Sequence, residues 1–131
     1  MKKNITVEKL GDKLKELYVK RYNALYKEDN YIKGNRLEKQ FTKIEEELIV
    51  FEEGVEELKK LLFDENEIVR FYSAGVLISL YPEDAIAVLK DIEQNGQTHL
   101  ASDVKYVLLN YEEKNNYFEK FLANSKAEKS K

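Results

Sequence analysis

A nearly continuous apolar stretch from Ile68 to Tyr81 limits the possible folds of this 131-residue chain more than any other feature. The stretch is too long for an ordinary strand and too short to span a bilayer, and Pro82 directly after it suits the end of a helix. A helix that is apolar on nearly every side must be covered on more than one side. We therefore expect the middle helix of a layered, all-α protein. The plainly polar side chains of the stretch are Arg70, Ser73 and Ser79.

Two longer helices are predicted before the apolar stretch. Apolar residues at steps of three and four, with Thr6 as N-cap, predict a first helix that ends near Glu28. Asn30 can cap a second helix that runs to about Glu53. A tight turn between them makes an antiparallel hairpin, and the missing side chain at Gly34 would let the two backbones approach closely.

Shorter helices are predicted over the rest of the chain. Gly54 ends the second helix or marks a kink, and a short helix follows it. Asp64 or Asn66 caps the apolar helix, and Pro82 takes the first position of the next helix. This order of helices and short turns is typical of a short α-solenoid. The remaining signals are a stop at Asn95-Gly96, a cap at Thr98, a last short helix over 117–122 and a disordered tail over 125–131.

The composition argues against several kinds of chemistry. The chain has no cysteine and one histidine, which excludes disulfides, Cys-ligated zinc and multi-His metal sites. No nucleophile, metal set or phosphate loop can be assembled, so we expect no enzyme and no cofactor. No run of about 18 apolar residues is present, so we expect no membrane span. No apolar segment follows the basic N-terminus, and we therefore expect a cytoplasmic protein.

Charge is distributed unevenly along the chain. Residues 1–43 carry 12 Lys and Arg against 6 Asp and Glu, whereas residues 44–113 carry 5 against 17. The acidic middle disfavours nucleic acid and favours a basic protein partner. Two alternatives stay open. The basic, Tyr-rich hairpin could bind nucleic acid, and the heptad-like stripe of the second helix could form a weak homodimer instead of a monomer.

Carboxylates between residues 45 and 57 are the candidate docking surface. Adjacent carboxylates on a helix point about 100° apart, which does not suit a metal site or an acid–base pair. They form either a solvated acidic face or a surface that steers a basic protein, with tyrosine rings as anchors. The candidate partner-binding residues are Glu45, Glu46, Glu52, Glu53, Glu56, Glu57 and Tyr72.

A second group of residues is expected to serve the structure. Arg70 is nearly alone as a charge on an apolar helix, and we expect it to bond helix C-terminal carbonyls, Asp64 or Asp103 rather than a ligand. Asn35 is expected to be a hydrogen-bonding residue within the hairpin. His99 is expected to be a surface or capping residue. The candidate structural residues are Asn35, Asp64, Arg70 and Pro82.

Part of the chain resembles a known helical repeat. Asp64, Val69-Arg70, Ala74 and Leu77 resemble the acidic, Val-Arg, Ala and Leu positions of a HEAT repeat. Over residues 10–112 the chain also resembles a small bacterial family of HEAT-like helical proteins that is catalogued as a domain of unknown function. That family tends to finish with Trp and Gly, which this chain lacks at residues 110–113. The matching positions are Asn35, Val69-Arg70, Pro82-Glu83-Asp84-Ala85 and Ala101.

The resemblance implies both a fold and a function. The implied fold is a short HEAT-like right-handed α-solenoid of about six to seven helices. It would form one helical domain over 1–124, with a hairpin over 6–53 and HEAT-like helices over 55–124. Members of the family are often encoded beside polymorphic toxins, and some look like their immunity proteins. The implied function is therefore a non-enzymatic immunity protein that binds and occludes a cognate toxin, and the acidic middle of the chain suggests a basic toxin domain as the partner.

Overall fold

The computed structural model describes residues 6–114, and within this range it contains α-helices and no strand. The predicted all-α class is confirmed for these residues. None of the described helices is long and apolar enough to cross a membrane. The predicted helix over 117–122 and the predicted tail over 125–131 lie outside the described residues. The helices are α1 (Val7–Tyr26), α2 (Tyr31–Ile49), α3 (Glu52–Leu61), α4 (Glu67–Leu77), α5 (Pro82–Asn95) and α6 (100–114, as far as the described residues extend).

Side-chain caps set the starts of three helices. Thr6 and Asn30 each accept a hydrogen bond from the backbone N–H three residues later, at 3.1 and 3.0 Å. Asn66 accepts one from the backbone N–H two residues later, at 2.8 Å. Pro82 is the first residue of α5, where a missing N–H costs nothing. These four predicted helix starts are confirmed. They could be predicted from the sequence because cap chemistry depends on a few neighbouring residues.

The boundary between α2 and α3 differs from the prediction. α2 ends at Ile49 and α3 begins at Glu52, so Gly54 lies in the first turn of α3 and does not end α2. A Cβ at Gly54 would overlap the carbonyl oxygen of Leu48. The glycine is therefore needed because two helix ends approach closely, and its role is not that of a helix stop.

The core is organised around α1. This helix contacts α2, α3 and α4, while α2 also contacts α3, α3 contacts α4, and α4 contacts α5. Gly34 lets α2 approach α1, because a Cβ there would lie 2.7 Å from Leu25 Cδ2. The buried apolar side chains of all six helices form one cluster. The largest of its fully buried members are Tyr18, Leu14, Leu17, Leu48, Leu58, Leu62, Leu77, Leu89, Ile92 and Leu100.

The apolar helix α4 is covered on most of its surface. It contacts α1, α3 and α5, and Val69, Ala74 and Leu77 are buried. Gly75 is exposed, with open space where a Cβ would lie. The expectation that this helix is covered on more than one side is therefore correct, and a narrow open strip remains at Gly75.

Glu67, in the first turn of α4, holds the start of α6. Its carboxylate accepts hydrogen bonds from the backbone N–H groups of Gln97 and Thr98, both at 2.9 Å, and from the Thr98 hydroxyl. Thr98 Oγ1 in turn accepts a hydrogen bond from Leu100 N at 3.2 Å. Partial burial alone would raise the pKa of Glu67, but these hydrogen bonds hold that pKa below its usual range.

Candidate protein-binding surface

Exposed carboxylates of α3 surround a shallow groove beside the start of α1. Glu52, Glu53 and Glu56 are exposed on α3, and Glu8 is exposed on α1. The groove has a volume of about 690 Å³ and is lined by five carboxylates and one ammonium group. Such a lining gives a negative potential that attracts a basic surface. We call it the acidic groove, formed by Thr6, Val7, Glu8, Glu52, Glu53, Glu56, Glu57 and Lys60.

Glu45 is not part of an exposed acidic face, and this corrects the prediction. The residue is 9% exposed, and its carboxylate accepts a hydrogen bond from the Tyr18 hydroxyl at 2.6 Å. Position 45 follows Phe41 by four residues and precedes Leu48 by three, so it shares their inward stripe. The spacing was readable in the sequence, but the neighbouring Glu46 and Glu47 made the whole run look solvated.

Burial changes the titration of the Tyr18–Glu45 pair. Burial raises the pKa of Glu45 from 4.5 to about 7, the hydrogen bond from Tyr18 opposes this rise, and the Glu38 and Glu46 carboxylates add to it. Burial also raises the pKa of Tyr18 well above its usual range, and the Glu45 carboxylate raises it further. Glu45 is therefore a structural carboxyl group that stays largely protonated at mildly acidic pH.

Glu57 lines the acidic groove but is also 9% exposed, so its predicted place on a solvated face is wrong as well. It lies against α1, because a Cβ at Gly11 would be 2.7 Å from Glu57 Oε1. Its other oxygen lies 3.3 Å from Lys60 Nζ. The exposed negative charge of the groove therefore comes from the other four carboxylates, and Lys60 adds one exposed positive charge.

Glu46 and Tyr72 lie away from the acidic groove. Glu46 is exposed on α2 and lines a separate, mixed-charge groove of about 400 Å³. Tyr72 is half-buried, and its ring stacks on Tyr18 with centroids 5.2 Å apart. The Arg21 guanidinium donates to the Tyr72 hydroxyl at 3.4 Å and lies 5.9 Å from the ring centroid. Tyr72 therefore belongs to an aromatic cluster between helices.

The predicted structural residues behave differently from one another. The Arg70 guanidinium donates to the carbonyl oxygens of Asp64 at 2.7 Å and Glu65 at 3.0 Å. These contacts agree with the expectation that Arg70 bonds backbone carbonyl oxygens. The Asp64 carboxylate accepts from Asn66 N at 2.9 Å and lies 2.8 Å from Lys15 Nζ. Burial opposes these contacts, which nevertheless hold the pKa of Asp64 below its usual range.

Asn35 does not have its expected role in the hairpin. It is exposed on α2, and its side chain forms no hydrogen bond with another residue in the range 6–114. His99 is exposed, as expected for a surface residue, and its ring stacks on Tyr26 with centroids 5.4 Å apart. The Tyr26 hydroxyl donates to Asp103, so this corner joins α1 to α6.

The hairpin uses much of its apolar surface within the chain. Leu37, Phe41 and Leu48 of the heptad-like stripe are buried, so they are not free to form a homodimer. Tyr18 and Tyr22 are buried as well and cannot stack on bases. Tyr31 remains exposed at the start of α2. Both alternatives from the sequence therefore lose part of the surface on which they depended.

Within residues 6–114, no group of three or more His, Asp or Glu side chains is arranged to hold a metal ion. Comparison with models of protein families, with curated proteins and with solved structures finds no match to the chain. The HEAT-like resemblance therefore stays a prediction from the sequence. The function must be argued from the surface that the described residues form.

Proposed function

We propose that the chain is a non-enzymatic protein-binding module whose acidic groove receives a basic surface of another protein. The observation that supports this most strongly is the convergence of Glu8, Glu52, Glu53 and Glu56 around one groove. Carboxylates gathered in this way speed the encounter with a cationic partner and disfavour an acidic one. Most of these groups are exposed, so they contribute mainly to association rate and specificity.

Apolar side chains beside the carboxylates add a contact that can hold a partner. Val50 is 78% exposed and Phe51 is 39% exposed, and both directly precede Glu52 in the turn between α2 and α3. An exposed aromatic ring bordered by polar residues is typical of the centre of a protein interface. We propose that Phe51 anchors the partner that the carboxylates attract.

In finer detail, we propose that the helices form a short HEAT-like right-handed α-solenoid. The contacts between consecutive helices, α1 with α2, α2 with α3, α3 with α4 and α4 with α5, support this arrangement, and α1 makes further contacts with α3 and α4. The Val69-Arg70 and Pro82–Ala85 positions of the resemblance support it independently.

On the same resemblance, we propose that the partner is a basic toxin domain and that the chain is its immunity protein. Binding in the acidic groove would then occlude the toxin. The strongly acidic middle of the chain, and the exposed charge of α3 within it, support a basic partner.

Co-expression with the toxin encoded beside the gene tests this proposal. We expect cells that carry the toxin to survive only when this chain is present. A triple variant, Glu52→Gln, Glu53→Gln and Glu56→Gln, should lose protection. A matched control, Glu47→Gln, Glu93→Gln and Glu112→Gln, removes three exposed carboxylates outside the acidic groove and should protect fully.

Each outcome of this experiment has a separate meaning. No protection by the unchanged chain, with no complex on purification, would overturn the immunity function. Protection by the groove variant at the level of the control would overturn the acidic groove as the docking surface. Loss of protection by both variants would show that net charge matters and the position of the charge does not.

A further inference from the structure

A second groove lies between the α3–α4 turn and α5, and no residue lines both it and the acidic groove. Its volume is about 360 Å³, and three carboxylates and one guanidinium group line it together with apolar side chains. We call it the α5 groove, formed by Leu62, Phe63, Asp64, Arg70, Asp84, Ala87, Val88 and Asp91.

One wall of the α5 groove has a regular pattern. Asp84, Ala87, Val88 and Asp91 are spaced by three, four and seven residues, so they share one face of α5. The two carboxylates are two turns apart, about 10 Å along the helix axis, and the small apolar side chains lie between them. The wall therefore presents negative, apolar and negative groups in order.

The opposite wall supplies an aromatic ring. Phe63 is 72% exposed in the α3–α4 turn, although a ring of this size is costly to leave in water. Leu62 beside it is fully buried and forms part of the core. A partner side chain placed in the groove would cover Phe63 and the apolar part of α5 together.

Two of the four charges in the α5 groove are already engaged within the chain. Arg70 donates to the carbonyl oxygens of Asp64 and Glu65, and the Asp64 carboxylate pairs with Lys15. Asp84 and Asp91 form no ion pair with another residue in the range 6–114. Asp91 accepts one neutral hydrogen bond, from the Asn95 side chain at 2.9 Å.

We propose that the α5 groove docks a segment of a protein partner in which one apolar side chain is flanked by two basic residues whose charged groups can lie about 10 Å apart. The apolar side chain packs on Phe63, Ala87 and Val88, and the two cations reach Asp84 and Asp91. In an extended segment, side chains that share one face are two residues apart, so the two basic residues on either side of the apolar one are four residues apart. Their Cα atoms are then about 13 Å apart, and the long side chains can lean inward to bring the charged ends closer. This assignment rests on the proposed protein-binding function, but it concerns a different surface.

Charge and shape together favour this occupant over others. An anionic segment would face both unpaired carboxylates, and a purely apolar one would leave them without partners. A cationic side chain can lay its aliphatic stem on Val88 or Phe63 while its charged end stays in contact with water and carboxylate.

A peptide titration followed by amide chemical shifts tests the proposal without any toxin. The probe is acetyl-Lys-Ser-Leu-Ser-Lys-amide, added to the full chain at low salt. We expect saturable shifts at the backbone amides of Phe63, Ala87 and Val88. Binding should weaken by at least about fivefold in an Asp84→Asn, Asp91→Asn variant. Both residues are exposed, so this variant should keep its fold.

Matched controls make the result specific. A Glu52→Gln, Glu53→Gln variant removes two carboxylates from the acidic groove and should bind the peptide like the unchanged chain. Acetyl-Glu-Ser-Leu-Ser-Glu-amide should not bind, and acetyl-Lys-Ser-Gly-Ser-Lys-amide should bind more weakly because its apolar contact is lost. Absence of binding, shifts that map elsewhere, or unchanged binding in the Asp variant would overturn the proposal.

This experiment can fail independently of the proposed function. Peptide binding without protection from the toxin would keep the α5 groove and remove the immunity function. Protection without peptide binding would keep the immunity function and remove the α5 groove as a docking site.

Discussion

Among single residues, Glu45 makes a contribution to stability that depends on pH in the range from mildly acidic to neutral. The protein interior favours its protonated form, because an ionised carboxylate would lose water and face Glu38 and Glu46. Between pH 4.5, the usual pKa of the group, and about pH 7, its pKa in the folded chain, Glu45 therefore keeps its proton in the folded chain and loses it in the unfolded chain. The contribution of Glu45 to stability must fall as pH rises through this window.

We predict that Glu45→Gln removes this pH dependence. The amide still offers an oxygen to the Tyr18 hydroxyl, so the variant should match the unchanged chain near pH 5 and exceed its free energy of unfolding near pH 8 by about 1–3 kcal/mol. Urea unfolding at several pH values measures the difference. Glu47→Gln, which changes an exposed carboxylate that is not among those raising the pKa of Glu45, serves as the control. Equal stability of Glu45→Gln and the unchanged chain near pH 8 would contradict a buried, protonated Glu45.

The contribution of Glu67 to stability changes with pH in the opposite direction. Its pKa is lowered in the fold, so its stabilising contribution is present above its usual pKa and is lost as pH falls through the folded pKa. Glu67→Ala removes the acceptor for three hydrogen bonds at the start of α6. We predict a loss of about 1–3 kcal/mol near neutral pH, together with faster hydrogen exchange at Gln97 and Thr98.

Glu65→Ala is the control for this change, because Glu65 is exposed two residues earlier and, within residues 6–114, its side chain forms no hydrogen bond, while its backbone carbonyl accepts one from Arg70. The assignment of Glu67 would be wrong if both variants unfolded at the same urea concentration and exchanged alike at the α5–α6 turn.

At the scale of the helix, a start can be predicted from the sequence where one nearby side chain caps it. Thr6, Asn30 and Asn66 could be identified as caps because each acts on a backbone N–H two or three residues away. Gly54 could not be interpreted in the same way. Glycine marks both helix ends and close approaches, and the approach to Leu48 depends on how α3 turns back from α2. Sequence alone does not separate these two uses.

Two glycines in helices should therefore respond in opposite ways to alanine. At Gly54 the added Cβ overlaps the Leu48 carbonyl, so Gly54→Ala should lower the free energy of unfolding by more than about 2 kcal/mol. At Gly75 the added Cβ would have no atom of residues 6–114 within 4 Å beyond its chain neighbours and the backbone of its own helix, so Gly75→Ala should raise it by about 0.5–1 kcal/mol. Urea denaturation of both variants measures the contrast. Similar effects of the two changes would contradict the tight α2–α3 boundary.

At the scale of the whole molecule, the all-α class could be predicted because hydrophobic periodicity accumulates along each helix. The charge of the middle segment was also readable directly. The sequence could not show which carboxylates of that segment reach solvent, because this depends on the helix that faces each one. Glu45 and Glu57 face α1, whereas Glu52, Glu53 and Glu56 remain outside.

The molecule has apolar surface that is covered within the chain and grooves that remain open to a partner. The apolar stripe of the hairpin is used within the chain, so it is not the face that an outside partner meets. The acidic groove and the α5 groove both border the α3 segment. Phe51 is exposed beside the carboxylates of the acidic groove, and Phe63 is exposed beside those of the α5 groove. A basic partner that covered both grooves would meet negative charge and an aromatic ring at each.

The most direct test of the acidic groove is the affinity for the toxin that the proposed immunity function requires, measured with purified proteins at about 50 and 200 mM salt. The groove variant (Glu52→Gln, Glu53→Gln, Glu56→Gln) should bind at least about tenfold more weakly than the unchanged chain at low salt, and its affinity should depend less on salt. The control variant (Glu47→Gln, Glu93→Gln, Glu112→Gln) should keep both the affinity and the salt dependence. Equal losses in the two variants, or no loss in the groove variant, would contradict docking at the acidic groove.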